Sequence, residues 1–234
     1  MNKHVQAYSF EHAFKRLNRL VLGEPEYMVP SRIGESREIL GVLVEVTGPR
    51  IGATFASPEI NRIDYDYAEK FWEFMISGGT DAKEAFKEYP NVAKFIDKPK
   101  SSELPENFNT FYGPRIVAQL PAILKELEKP NSRRAVIQIL QEQDQVLLDA
   151  NETLEYPCTD SITFSVRDDR LNMHTHMRSQ NVATVMQLDF FLMHKLFAYV
   201  ADKLDLEMDT YTHTIVSAHI YERDVEYVRG FLNA

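Results

Sequence analysis

A lone thiol followed by a cation, a carboxylate and a His-x-Tyr pair carries most of the chemical information in this chain. The only cysteine stands in Tyr156-Pro157-Cys158-Thr159-Asp160; further on come Met177-Arg178-Ser179-Gln180-Asn181, then Asp189, then His219-Ile220-Tyr221. A cysteine adds to an electron-poor double bond as its thiolate, the form that neighbouring positive charge favours. Arg178 can supply that charge if the segments around 158 and 178 lie side by side, and Ser179 adds a hydroxyl for the same anion. Taken alone, a single cysteine is more often a small buried hydrophobe. Pro157, Thr159 and Asp160 are poor core neighbours, which weakens that reading.

Other residues could complete such a site. Ser132-Arg133-Arg134 falls between an expected helix and strand, where paired arginines can clamp a phosphate, although a surface pair is commonly just solvated. Arg32 and Arg37 flank Gly34 on a loop before a strand and could serve likewise. Glu69, in Tyr67-Ala68-Glu69-Lys70-Phe71-Trp72, is a carboxylate within an otherwise apolar helix. Buried there it could move protons; on local grounds a solvent-facing charge is commoner. His219 and Tyr221, two apart on a strand, share a face and could hydrogen-bond a sugar. His174 and His176 also share a face but lack companions at metal-ligand spacing. There is no Gly-rich phosphate loop and no dinucleotide fingerprint.

The elements that must position these groups are legible in outline. Residues 5–21 have helical spacing of Val5, Phe10, Phe14, Leu17 and Leu20, and Ile39 to Val46 is a β-branched strand pattern. Helices are expected over Tyr65–Ile76, from Pro114 to about Glu128, and from Thr184 to Lys203. Strands are expected over Ala135–Gln141 and Thr210–Tyr221, with a hairpin of Ser161–Val166 and Arg170–His176 around Asp168-Asp169. Residues 80–111, broken by Pro90, Pro99 and Pro105, read as an irregular insert with small helices. Helices and strands alternate without βαβ regularity, which favours α+β.

At 234 residues the chain has ample length for a core, and its hydrophobic (44%) and charged (26%) fractions suit a soluble globular protein. A net charge of −9 argues against a nucleic-acid polymer as partner, while a small phosphorylated ligand needs only a few converging arginines. No apolar run approaches the roughly 20 residues that span a bilayer. One cysteine and no apolar signal core after Met1 point to a cytoplasmic protein.

Taken in order, Arg32 with Gly34, Glu69 three residues before Trp72, Tyr112-Gly113, Ser132-Arg133-Arg134, Pro157-Cys158, Arg178-Ser179, Asp189 and His219-Ile220-Tyr221 resemble the thymidylate synthase and pyrimidine hydroxymethylase family. The resemblance implies a single catalytic domain over 1–234 with a thymidylate synthase-like fold: a mixed twisted sheet flanked by helices, one sheet face forming a dimer interface. It implies that Cys158 attacks C6 of a pyrimidine nucleoside monophosphate and that C5 then takes a one-carbon unit from 5,10-methylenetetrahydrofolate. Glu69 would move protons, and Tyr112 would line the site near the base. Arg32, Arg178 and Ser179 would hold the phosphate, joined by Arg133 and Arg134 of a second subunit in a homodimer. His219 and Tyr221 would bind the sugar, and Trp72 and Asn181 would face the folate.

The base-reading position is Asp189, where thymidylate synthases carry an asparagine. An ionised carboxylate only accepts hydrogen bonds, so it suits the amino group of cytosine and repels O4 of uracil. Asp189, and Thr159 after the cysteine, are similar to the phage deoxycytidylate hydroxymethylases. The expectation is therefore C5 hydroxymethylation of CMP or dCMP. A C5 methyltransferase is the alternative. Asn181, where the family has an aspartate toward the pterin, also keeps open a nucleotide-binding homologue without folate chemistry.

Overall fold

The computed structural model describes residues 2–31, 34–49, 55, 63–89, 112–145, 148 and 156–233. Alternating apolar and polar residues build a seven-stranded mixed sheet. Its strands are β1 (His4–Ala7), β2 (Tyr27–Ser31), β3 (Gly34–Thr47), β4 (Val136–Gln138), β5 (Thr159–Arg167), β6 (Arg170–Asn181) and β7 (Glu207–Tyr221). The order is β1-β3-β7-β6-β5-β4, with β2 also paired to β3. The β1–β3 and β6–β7 pairings are parallel and the others antiparallel.

One face of this sheet is the core. Ile39, Val42 and Val44 of β3, Tyr211, His213 and Ile215 of β7, Leu171 and Met173 of β6, and Phe164 of β5 are buried along it. Helices α1 (Phe10–Gly23), α4 (Tyr112–Leu127) and α5 (Met186–Leu204) pack against the strands. Helix α2 (Tyr65–Ile76) lies on α4 and α5, followed by the single turn α3 (Ala82–Ala85); α6 (Val225–Asn233) lies on α1. The alternate residues, among them Thr212, Thr214 and Val216 of β7 and His174 of β6, point to the opposite, accessible face. The fold is thus α+β with a mixed open sheet, as the interspersed elements suggest.

Two segments depart from the sequence reading. The helix expected over 5–21 begins only at Phe10, because Ser9 caps it by accepting from the His12 amide at 3.1 Å. Val5 and Ala7 instead alternate inward as a strand that pairs with Val44 and Val46. The strand expected over Ala135–Gln141 pairs for only three residues, since the amides of Ile139 and Leu140 both turn to one acceptor, the Asp160 carbonyl, at 3.0 Å each. Strands β1 and β2 were not anticipated. Of the insert expected at 80–111, residues 90–111 lie outside the described residues.

Candidate active site

A two-residue turn sets the register that matters most. Asp168 and Asp169 adopt φ of 49° and 57°, the left-handed pair that joins tightly twisted strands, and Arg167 faces Arg170 across it. Followed back along the hairpin, this pairing brings Arg178 opposite Cys158, whose carbonyl accepts the Arg178 amide at 2.9 Å. A bulge between Thr159 and Ser161 shifts the ladder just before the cysteine. Bulges of this kind re-aim side chains beside functional sites.

The Arg178 side chain then holds the segment that leads into the cysteine. Its Nε donates to the Pro157 carbonyl at 2.8 Å and its Nη2 to the Tyr156 carbonyl at 2.9 Å. The guanidinium also stacks over the Tyr156 ring at 4.9 Å and places Nη2 3.8 Å from Cys158 Sγ. A planar cation with several donors can do this where a lysine cannot. The cation expected from spacing alone therefore stands beside the sulfur, a setting that stabilises a sulfur anion.

Tyr112 opens α4 beneath them, and its hydroxyl accepts the Thr159 amide at 3.2 Å, next to the cysteine. Its own proton remains available to donate. Burial, then the proximity of Cys158 and of Asp189, pushes its hydroxyl well above the usual phenol range, so Tyr112 is neutral. Gly113 makes this placement possible: a Cβ there would sit 2.6 Å from the Met75 carbonyl oxygen of α2. Only glycine lets the two helix ends meet so closely.

Asp189 lies in the first turn of α5 and accepts from Gln180 Nε2 at 2.8 Å. Although part of the residue is accessible, enough protein surrounds its carboxyl that burial pushes it up to about 6, against the downward pull of the Gln180 amide. The same Tyr112 that feels Cys158 feels Asp189, so thiol and carboxylate both lie near one tyrosine. His219 reaches this end of the sheet as well. Burial lowers its imidazole, its Ser217 hydrogen bond and nearby Glu38 raise it, and Arg178 lowers it further. Tyr221 meets the His219 ring edge-on at 5.0 Å. Ser179 pairs with Ser217 across the β6–β7 ladder.

Other expected residues are placed elsewhere. Glu69 is half exposed, not buried: its carboxylate accepts from Lys195 Nζ at 2.8 and 3.0 Å. That ion pair is the middle rung of a seam between α2 and α5, with Tyr65 on Phe191 and Trp72 on Tyr199 as the outer rungs. Lys195 comes six residues after Asp189, so it sits about 120° round the helix from it. Glu69 thus engages a different flank of α5 from the one that carries Asp189. Arg133 and Arg134 lie on the exposed turn between α4 and β4, where Arg134 Nε donates to Glu126 at 3.0 Å. Arg32 lies outside the described residues.

Asn181 is committed to local structure. Its Oδ1 accepts the amides of Ala183 and Thr184 at 3.1 and 3.3 Å, closing the turn into α5. Toward a folate the residues present fit only in part, since Trp72 keeps accessible ring surface while the Asn181 acceptor is spent. Sequence reasoning missed Gln180, Lys195 and the stack of Tyr156 on Arg178. No strand pattern marks Gln180: the alternation that buries Leu171, Met173, Thr175 and Met177 would put it on the accessible face with His174, and burial shifts by one residue only at Ser179-Gln180.

The sequence model of the thymidylate synthase family matches residues 90–233, more than half of the chain. This chain belongs to the thymidylate synthase family. A protein of Methanocaldococcus jannaschii named "Putative thymidylate synthase" is 23% identical over 225 residues, covering 95% of this chain and 93% of that protein. The thymidylate synthase of Haloferax volcanii is 35% identical over 104 residues, 44% of this chain and 29% of that one. The deoxycytidylate 5-hydroxymethyltransferase of Enterobacteria phage T2 is 23% identical over 211 residues, 82% of this chain and 84% of its own length. Membership suggests a one-carbon transferase acting with methylenetetrahydrofolate. Among the described residues no helix is long and apolar enough to cross a membrane.

Proposed function

We propose that this chain is a cytidylate C5 hydroxymethyltransferase, acting on CMP or dCMP. The single observation that carries this reading is Asp189, an acceptor-only group when ionised, which like Cys158 lies near Tyr112; the family resemblance makes it the base-reading position. Sulfur of Cys158 bonds C6, and the electron pair of the C5–C6 double bond makes C5 nucleophilic. C5 then takes a one-carbon unit, which methylenetetrahydrofolate supplies when bound. Loss of the C5 proton, with departure of the carrier as tetrahydrofolate, would leave an exocyclic methylene on C5 while sulfur stays on C6. Water adds to that methylene to give the hydroxymethyl group, and expulsion of the sulfur restores the ring and the thiolate.

In this reading Arg178 steadies the thiolate and meets the phosphate with Ser179 and Arg32. Tyr112 donates its hydroxyl proton at the base, and His219 and Tyr221 take the sugar. Glu69 moves protons once it leaves Lys195. The accessible sheet face, which exposes Leu40 and Val216, is the natural contact for a second copy in the cytoplasm, and Arg133 of that copy would complete the phosphate site. The names of the thymidylate synthase relatives favour a second reading, methyl transfer, which would release dihydrofolate.

Mass spectrometry of CMP, dCMP and dUMP incubated with methylenetetrahydrofolate tests the assignment. A cytidine nucleotide gaining one hydroxymethyl group is the expected result. Equal conversion of dUMP would overturn the Asp189 reading, and binding of CMP without exchange of its C5 hydrogen would leave only a nucleotide-binding protein.

A further inference from the structure

We propose that Gln180 is a positioning residue for base selection: it commits one oxygen of Asp189 to itself and leaves the other to address the ligand. The proposal deepens the cytidylate reading above and rests on it. Gln180, the penultimate residue of β6, has 2% of its surface exposed, and among the described residues its Nε2 bond to Oδ2 is the only side-chain hydrogen bond that Asp189 makes. Its own Oε1 is buried and has no hydrogen-bond partner among the described residues. The amide is therefore oriented by the carboxylate alone. Turning it over would set a carbonyl oxygen against a carboxylate oxygen, acceptor against acceptor.

This orientation has a chemical consequence. With Oδ2 occupied by an N–H, a proton taken up by Asp189 must reside on Oδ1. The ionised unit then presents a pure acceptor to the ring, which suits an exocyclic amino group. The protonated unit presents an O–H donor, which suits a carbonyl. Preference between an amino and an oxo group at the 4-position of the pyrimidine thus follows the charge on one carboxyl, and Gln180 favours the ionised form against the pull of burial.

The surroundings leave Gln180 nearly alone in this task. From α4 comes Tyr112 and from β7 comes Tyr211, both kept neutral chiefly by burial and both feeling the Asp189 charge. Cys158 is also near Tyr112. Among the described residues no arginine or lysine offsets the carboxylate; burial raises it and the Gln180 amide lowers it. The first turn of a helix adds a modest preference for negative charge. Removal of one charge-assisted hydrogen bond from so small a set has a large effect, about 10- to 100-fold in the proton equilibrium.

The test reads binding without turnover. Calorimetry gives the affinity ratio of CMP to UMP between pH 5.5 and 8.5 for the wild type, Gln180→Met, Gln180→Glu and Asp189→Asn. Titration of the phosphate near pH 6 is common to both nucleotides and cancels in the ratio. Wild type should favour CMP at pH 8.5 and lose that preference on the acid side, by up to tenfold per pH unit. Gln180→Met should lose it one to two pH units higher, so that preference at pH 7.5 drops about 10-fold or more. Gln180→Glu keeps the volume and should show the same displacement, which serves if Gln180→Met does not fold. Asp189→Asn should give a flat ratio.

A wild-type ratio independent of pH, or Gln180 variants that weaken both nucleotides alike with no displacement, would overturn the proposal. Failure to bind either nucleotide would remove it together with the cytidylate reading. Selective, pH-dependent binding without C5 exchange would count against the chemistry proposed for Cys158 while supporting the role of Gln180.

Discussion

Replacing Asp189 by asparagine should stabilise this protein at alkaline pH and do nothing for it in acid. Burial moves the carboxyl from 3.8 to about 6 in the folded state. At about 1.4 kcal/mol per unit this is an ionisation penalty of about 3 kcal/mol, reduced to about 2 kcal/mol because part of the residue is accessible to solvent. A carboxyl raised on folding binds its proton more readily in the native state. The native protein is therefore favoured at low pH, and that advantage disappears as pH rises from 3.8 through about 6. Above that window the wild type bears the full penalty of a desolvated charge. Asparagine has almost the same shape, is neutral throughout, and still offers an oxygen to Gln180. Urea unfolding of Asp189→Asn and wild type at one fixed protein concentration measures the difference. The variant should be the more stable by about 2 kcal/mol at pH 8, with the gap closing by pH 4. A variant no more stable at pH 8, or a gap that ignores pH, would refute the reasoning about burial.

The remaining expectations concern other parts of the site and core. Cys158→Ala should fold normally and lose all exchange of the C5 hydrogen of CMP, measured by proton resonance in deuterated water; retained exchange would exclude the thiol as nucleophile. Arg178→Leu should slow alkylation of Cys158 by iodoacetamide at pH 7 by about tenfold, since it removes the cation beside the sulfur. Gly113→Ala should lower stability by about 1–3 kcal/mol, as a methyl group 2.6 Å from the Met75 carbonyl forces α2 and α4 apart; thermal unfolding reads this. His213 is fully buried, and burial, followed by nearby His174 and His176, holds it down to about 3. A depressed histidine gives stability that is present above its unfolded value near 6.5 and lost as pH falls toward 3. His213→Phe should therefore flatten the loss of stability between pH 6.5 and 4.

Where sequence patterns were read correctly, a local cause was sufficient. Tyr65–Ile76 is helical from end to end because its apolar spacing and the Asp64 cap agree. The hairpin at Asp168-Asp169 was visible because two such residues tolerate the left-handed region between β-patterned flanks. The pairing of Cys158 with Arg178 followed from that hairpin. Position 5 was misread because Val5 fits both a helical stripe and a strand alternation, and the choice is made by β3, a partner nearly forty residues away. Glu69 is solvent-facing, the commoner reading on local grounds, but its partner Lys195 was not legible because no local pattern links the two. Gln180 escaped because its importance lies in one contact to a residue in another element, and hydrogen-bond partners across a fold leave no periodic trace.

The turn at Asp168-Asp169 lies at the far tip of the hairpin from the sulfur, yet the alignment of nucleophile and cation is inherited from it. Strand side chains alternate, so a single residue added or lost at that tip would roll one strand over and swing the guanidinium to the wrong side of the sheet. Loop length is elsewhere among the freest variables of a protein surface. Here it works like the pitch of a gear, and a distant peripheral change of one residue would disarm the thiol without touching anything around it.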